Sequence, residues 1–160
     1  MNTTIHVASG VGTGPTELAA YDAALADINL HNYNLVAVSS VIPKTATVVQ
    51  ADRAPDLGAA GNRLFVVQSE MASRPGTDEP IVAGLGWVTG DGPGLFYEAN
   101  GHDEAVVQQL LEDGLQAGGE LREWTFTDQS FEVRLVEPET DKYTVVVCLA
   151  AYGDSEPMFK

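Results

Sequence analysis

Two adjacent serines are the residues of this sequence whose setting most clearly invites chemistry. Ser39 and Ser40 follow four apolar residues and precede Val41-Ile42-Pro43. Such a pair usually belongs to a strand edge or a turn, but a serine held in a strained turn can also act as a nucleophile. No Gly-x-Ser-x-Gly elbow surrounds the pair, and none of the three histidines has a triad context. Ordinary serine hydrolysis is therefore disfavoured.

Two carboxylates stand in places where they could act on a ligand. Asp22 lies four residues after Leu18 and three before Leu25, so a helix would hold it within its own apolar stripe, where an ionised group is costly unless paired. It is either a helix-edge residue or a binder of a cationic ligand. Glu98 comes at the end of a predicted strand, a position that suits a general acid, although most such glutamates are merely exposed.

The elements that position these residues follow from hydrophobic periodicity. We predict a strand over residues 3–8, a glycine-rich loop over 10–14 and a helix over 16–28 with Leu18, Tyr21, Leu25 and Ile28 as its apolar stripe. A short buried strand follows at 35–38, and a second helix at about 103–116. Further strands are predicted over 45–50, 64–69, 81–89, 95–98, 131–136 and 143–151. Short, turn-rich connections indicate a single α+β domain with antiparallel or mixed sheets in two or four layers, rather than a Rossmann fold.

The charge balance restricts the partners of the chain. Twenty-three acidic residues against eight basic ones give a net charge of −15. A field of this sign repels phosphate backbones and anionic membranes and attracts cationic ligands, so we expect no nucleic-acid partner. Our hypothesis for the excess is a solvated acidic surface adapted to high salt.

Other classes are disfavoured by what the sequence lacks. The one cysteine, Cys148, lies in an apolar run and is predicted to be a core thiol. No cluster of His, Cys, Asp or Glu has metal-ligand spacing, so we predict no metal site. The first residues resemble no secretory leader, and no apolar stretch is long enough to span a bilayer. We therefore expect a cytoplasmic protein with no membrane partner.

Three segments together resemble the archaeal pyruvoyl-dependent arginine decarboxylases. They are Leu-Ala-Ala-Tyr-Asp-Ala-Ala-Leu at 18–25, Asn-Leu-Val-Ala-Val-Ser-Ser-Val-Ile-Pro at 34–43 and Gly-Leu-Phe-Tyr-Glu at 94–98. The middle segment is the specific one: an asparagine, an apolar strand, a serine pair, two apolar residues and a proline. Order and spacing agree from about residue 7 to about residue 116, and the remainder agrees only loosely.

The resemblance implies a cofactor made from the chain itself. The Ser40 hydroxyl would attack the carbonyl of Ser39, and the resulting ester would break to leave a pyruvoyl group derived from Ser40. The products would be a small chain, 1–39, and a large pyruvoyl-capped chain, 40–160. Asn34 matches a family residue near the cleavage site, where it would orient or polarise the Ser39 carbonyl.

The resemblance also assigns roles in catalysis. The pyruvoyl group would serve as the electron sink for loss of CO₂ from L-arginine. Glu98 would protonate the carbon that loses CO₂, Asp22 would pair with the guanidinium, and Val41 would also contact the substrate. The product would be agmatine, a polyamine precursor. The family implies an αββα sandwich and a homotrimer with active sites between subunits.

Three alternatives stay open at this point. The same chemistry could serve another amino acid or S-adenosylmethionine, because Asp22 selects a cationic side chain without separating arginine from lysine or ornithine. The chain could instead be a non-catalytic metabolite-binding module on the same fold. It could also be an N-terminal-nucleophile hydrolase in which Ser40 becomes the free terminal serine.

Overall fold

Nine strands and two helices form the fold in the computed structural model, which describes residues 1–160. The strands are β1 (Thr4–Gly14), β2 (Asn34–Ala37), β3 (Val41–Ile42), β4 (Thr47–Gln50), β5 (Arg63–Ser73), β6 (Ile81–Gly90), β7 (Gly94–Gly101), β8 (Phe126–Val136) and β9 (Tyr143–Tyr152). The helices are α1 (Glu17–Asp27) and α2 (Glu104–Glu120). Thr16 and Asp103 cap their N-termini, each accepting a backbone N–H through a side-chain oxygen.

The strands form two sheets. The five-stranded sheet has the order β2-β5-β9-β1-β4, with parallel pairs at its two edges and antiparallel pairs in its centre. The four-stranded sheet, in the order β3-β7-β6-β8, is antiparallel throughout. The predicted α+β sandwich of largely antiparallel or mixed sheets is therefore confirmed.

Apolar side chains fill the spaces between four layers. Between α1 and the five-stranded sheet lie Ala24, Ile28 and Leu149 among others. Between the two sheets lies a second cluster that includes Phe96. Helix α2 covers the outer face of the four-stranded sheet through a third cluster that includes Leu111. Each sheet is thus covered by a helix on one face and by the other sheet on its other face, which gives the αββα order.

The glycine-rich segment after residue 8 is part of β1, so the predicted loop at 10–14 is wrong. The strand continues because helix α1 lies directly on it. A Cβ added at Gly12 would overlap the backbone of α1 at Ala20 and Ala24. The helix accordingly buries alanines there, while Leu18 of the predicted apolar stripe is 76% exposed. Small residues on both elements allow this close approach.

We expect Gly12→Ala to destabilise the protein strongly. The added methyl group meets backbone atoms on α1, which cannot rotate away, so strand and helix must separate. The cost should be about 3 kcal/mol of unfolding free energy, near the upper end for an overpacked core. Chemical denaturation measures it. Gly92→Ala is the matched control, since nothing lies within 4 Å of its added Cβ; equal stability of the two variants would contradict this account.

Other elements match with changes in length and exposure. Most predicted strands are present and longer, and α2 runs four residues past its predicted end. The predicted strand at 35–38 exists as β2, but the prediction that it is buried is wrong, because β2 is an edge strand with Val36 38% exposed. Cys148 is a fully buried free thiol, as predicted. Neither helix is long and apolar enough to cross a membrane.

Candidate active site

The serine pair lies where the chain crosses from one sheet to the other. On its N-terminal side, β2 pairs with β5, and the Val38 N–H continues that ladder by donating to the Val66 carbonyl at 3.0 Å. On its C-terminal side, β3 pairs with β7, and the Phe96 N–H donates to the Ser40 carbonyl at 2.7 Å. The Ser39–Ser40 peptide bond is therefore held at both ends by different sheets.

A tight turn surrounds the Ser40 residue. The Val41 N–H donates to the Ser39 carbonyl oxygen at 2.9 Å, which closes a three-residue turn with Ser40 at its centre. Ser39 is exposed and Ser40 is half-buried. A donor on this oxygen polarises the carbonyl and stabilises negative charge that develops there during attack. Sequence reasoning missed this donor, because a backbone N–H leaves no trace in residue type.

Glu98 lies on β7, close to the serine pair. The Phe96 N–H is hydrogen-bonded to the Ser40 carbonyl. Glu98 is two residues after Phe96 on the same strand, which places it about 7 Å from Phe96 on the same face of the sheet. That face looks toward the space between the sheets, where Phe96 is buried. Although Glu98 itself is exposed, partial burial of its carboxyl group raises its pKa above the ordinary glutamate value. A carboxyl with a raised pKa is a better proton donor near neutral pH.

Asp22 lies in a different place, on the outer side of the five-stranded sheet. It is exposed on α1 and lines an open cleft of about 700 Å³ between the helix and the β2 edge. His31, Tyr33 and Asn34 line the same cleft. A carboxylate at the wall of an open, partly apolar cleft can pair with a cationic group of a ligand.

The Asn34 side chain makes its hydrogen bond away from the cleavage site. Its Nδ2 donates to the Gly61 carbonyl at 2.8 Å, and its backbone N–H donates to the Asn62 carbonyl at 2.8 Å. Asn34 is five residues before Ser39, which along an extended strand is about 16 Å. Within one chain, therefore, the donor to the Ser39 carbonyl is Val41, and a role for Asn34 there stays a prediction.

The predicted site residues thus fall into two groups in one chain. Ser39, Ser40, Val41 and Glu98 lie together at the edge between the sheets, whereas Asp22 lies with Asn34 across the five-stranded sheet. No hydrogen bond or shared cleft joins Asp22 to the serine pair within one chain.

The first group has the parts needed to make a pyruvoyl group. A hydroxyl is placed next to a peptide bond whose ends are fixed and whose carbonyl oxygen already accepts a hydrogen bond. Removing one donor of this kind typically slows acyl transfer by orders of magnitude. The arrangement fits the class of proteins that cut their own chain at a serine.

Comparison with known proteins identifies the family. The family model for pyruvoyl-dependent arginine decarboxylase matches residues 4–157. The chain therefore belongs to the pyruvoyl-dependent arginine decarboxylases. A protein of that name from Halobacterium salinarum is 48% identical over 160 aligned residues, which cover 97% of each chain. Another from Thermococcus kodakarensis is 31% identical over 148 residues, covering 88% of this chain and 91% of the relative.

Proposed function

We propose that this protein cleaves itself between Ser39 and Ser40 and then decarboxylates L-arginine to agmatine, the first step toward polyamines. Membership of a pyruvoyl-dependent family implies a covalent pyruvoyl cofactor. Ser40 is its source in our proposal, leaving a small chain of residues 1–39 and a large chain of residues 40–160. The observation that carries this assignment is the turn in which the Val41 N–H donates to the Ser39 carbonyl.

The residues around the serine pair divide the work of decarboxylation. The pyruvoyl group supplies a carbonyl that accepts the electron pair released when the substrate loses CO₂. Glu98 holds a proton close to that place and delivers it to the substrate carbon after CO₂ has left. Val41, next to Ser40 and 39% exposed, offers an apolar contact to the bound substrate. An apolar neighbour favours loss of charge from the carboxylate that becomes CO₂.

Asp22 gives the selectivity for a cationic side chain. A carboxylate and a guanidinium can form two parallel charge-assisted hydrogen bonds, which fix both charge and length. Because Asp22 and Ser40 are separated within one chain, we propose that the Asp22 of one protomer faces the pyruvoyl group of the next. The exposed apolar residues Val36 and Phe65, paired on the β2 edge, support contact between protomers at this place. A homotrimer closes such a head-to-tail arrangement.

Mixing two variants that are each impaired at low substrate should restore activity if the site is shared. Asp22→Asn keeps the cofactor but loses the guanidinium partner, and we expect its KM for arginine to rise about 10- to 100-fold. Ser40→Ala keeps Asp22 but makes no cofactor. In randomly mixed assemblies of the two, about one site in four combines an intact Asp22 with a pyruvoyl group. Co-expression with two affinity tags, followed by arginine decarboxylation at low substrate, measures the recovery.

The matched control is a mixture of Ser40→Ala with Glu98→Gln. Glu98 and Ser40 belong to the same edge of one chain, so random mixing creates no site with both intact. This control mixture should stay inactive. A mixture of Asp22→Asn with Ser40→Ala that recovers nothing, although mixed assemblies are isolated, would contradict the shared site.

The activity itself is tested on the purified wild-type protein. Its denatured mass should resolve into fragments of about 4 and 13 kDa, scaled by residue number from 17.0 kDa, with a pyruvoyl cap on the larger. Release of CO₂ is then compared for L-arginine, L-lysine, L-ornithine and S-adenosylmethionine. Turnover of another of these without arginine would refute the substrate. A free serine at residue 40 with amide hydrolysis would favour a hydrolase, and an intact chain that binds a metabolite would favour a binding module.

The setting of the reaction is a separate part of the proposal. The net charge of −15 supports function at high salt, where an acidic surface remains solvated. Halobacterium salinarum supplies one of the relatives. A cytoplasmic location stays a prediction of the sequence.

A further inference from the structure

Tyr152, the last residue of β9, reaches from the five-stranded sheet to the residue that follows the serine pair. Its hydroxyl donates to the Val41 carbonyl at 3.0 Å, across 111 positions of sequence. The side chain is half-buried, and burial raises the pKa of Tyr152 above its ordinary value, so the hydroxyl remains a donor throughout the neutral range. None of the residues that the sequence singled out supplies this contact.

The ring of Tyr152 also contacts the other residue that holds the cleavage site. It packs against Phe96 with the ring centroids 6.1 Å apart and the planes tilted by 55°. The Phe96 N–H in turn donates to the Ser40 carbonyl. Tyr152 therefore touches both residues whose backbone groups fix the C-terminal side of the Ser39–Ser40 bond, one through its hydroxyl and the other through its ring.

The position of Val41 matters because its two backbone groups serve different partners. Its carbonyl accepts the Tyr152 hydroxyl, and its N–H donates to the Ser39 carbonyl oxygen. The second bond lies in a turn of three residues, whose C-terminal side is held by the Phe96 N–H and by the short strand β3. β3 has only two residues, so its ladder with β7 is short. A hydrogen bond from Tyr152 adds a restraint that the short strand lacks.

We infer that Tyr152 is a positioning residue for self-cleavage, holding Val41 so that its N–H stays on the Ser39 carbonyl oxygen while that oxygen takes up negative charge. This inference rests on the proposed function. The affected step is the attack: Ser40 Oγ bonds to the Ser39 carbonyl carbon, the C–N bond to residue 40 breaks, and the hydroxyl proton ends on the released amine. This step is an isomerisation from amide to ester and needs no other reactant.

The later steps complete the cofactor without Tyr152. Loss of the Cα proton of residue 40 breaks its Cβ–O bond, which leaves a carboxylate on Ser39 and a dehydroalanine at residue 40. One water then enters, one ammonia leaves, and the pyruvoyl group remains. Once Ser39 ends in a carboxylate, the carbonyl that Val41 polarised no longer exists. Tyr152 should therefore affect the rate of cleavage far more than turnover by the mature enzyme.

Tyr152→Phe tests the inference, because it removes the hydroxyl and keeps the ring against Phe96. The protein is synthesised in a cell-free system, and the uncleaved fraction is followed by intact mass well below the melting temperature. We expect the first-order cleavage constant to fall about 3- to 10-fold, as for the loss of one hydrogen bond. Turnover of arginine per titrated pyruvoyl group in the fully cleaved variant should stay within about twofold of wild type.

Tyr143→Phe is the matched control. Tyr143 begins the same strand, packs against the cluster under α1 and makes no side-chain hydrogen bond. It should cleave at the wild-type rate. If Tyr152→Phe cleaves at the wild-type rate, whether or not its melting temperature is lower, the role of Tyr152 is overturned while the proposed function stands. A wild-type chain that never cleaves would overturn the proposed function and this inference together.

Discussion

Replacing Ser40 by alanine is expected to leave the protein as one chain of 17.0 kDa without detectable decarboxylase activity. The change removes the only atom that can attack the Ser39 carbonyl from this turn, while the hydrogen bonds that fix the segment all involve backbone groups. Without attack there is no ester, and without the ester no pyruvoyl group forms. Denaturing intact mass detects the uncleaved chain directly, and CO₂ release from labelled arginine measures the activity.

Ser39→Ala is the control that separates the two serines. Ser39 contributes its carbonyl group to the reaction, and its side chain is exposed. This variant should therefore still cleave, giving a small chain that ends in alanine. Cleavage between residues 39 and 40 in Ser40→Ala, or its failure in Ser39→Ala, would show that the nucleophile has been assigned wrongly.

Most of the proposed chemistry could be predicted from the sequence, because it depends on residue types at short spacing along the chain. The serine pair, its flanking apolar residues and the Gly-Leu-Phe-Tyr-Glu strand stand next to each other along the chain. Periodicity located both helices and most strands for a similar reason, since each repeat spans only a few residues. Glu98 was expected at a strand end, but β7 continues to Gly101, so Glu98 is held within a paired strand.

What the sequence missed depends on partners that are distant along the chain. The glycines at 10–14 favour a loop by local propensity, which does not show that helix α1 packs against them. An apolar run such as β2 reads as buried, although apolar residues can equally be kept for contact with another protomer. Local sequence patterns likewise could not predict the contact of Tyr152 with Val41, which lies 111 positions away, or the placement of Asp22 and Ser40 in different parts of the fold. The order in which the strands pair within the two sheets, rather than the local composition, determines which of these residues come together.

Replacing Glu98 is expected to have a large effect on turnover rather than on self-cleavage. We expect Glu98→Gln to cleave itself normally and to lose about 100- to 10,000-fold in kcat, because an amide cannot deliver the proton that a general acid supplies. Burial holds the pKa of Glu98 above its ordinary value. The wild-type rate should therefore persist to higher pH than an ordinary carboxyl would allow, and fall as pH rises through the pKa of Glu98. The residual rate of the variant should lack this decline.

Glu132→Gln is the matched control for charge, burial and position. Glu132 and Glu98 are both paired with Leu85, from opposite sides of β6, and burial raises the pKa of both carboxyl groups. Glu132 is on β8, away from the serine pair, and lines a separate polar cleft with Arg134. Its variant should keep wild-type kcat and the wild-type decline at high pH. If both variants lose turnover alike, the raised pKa of Glu98 is a consequence of packing, and the proton comes from another group. If only Glu98→Gln loses turnover, Glu98 is the acid, because it lies on β7 two residues from Phe96, which is hydrogen-bonded to Ser40.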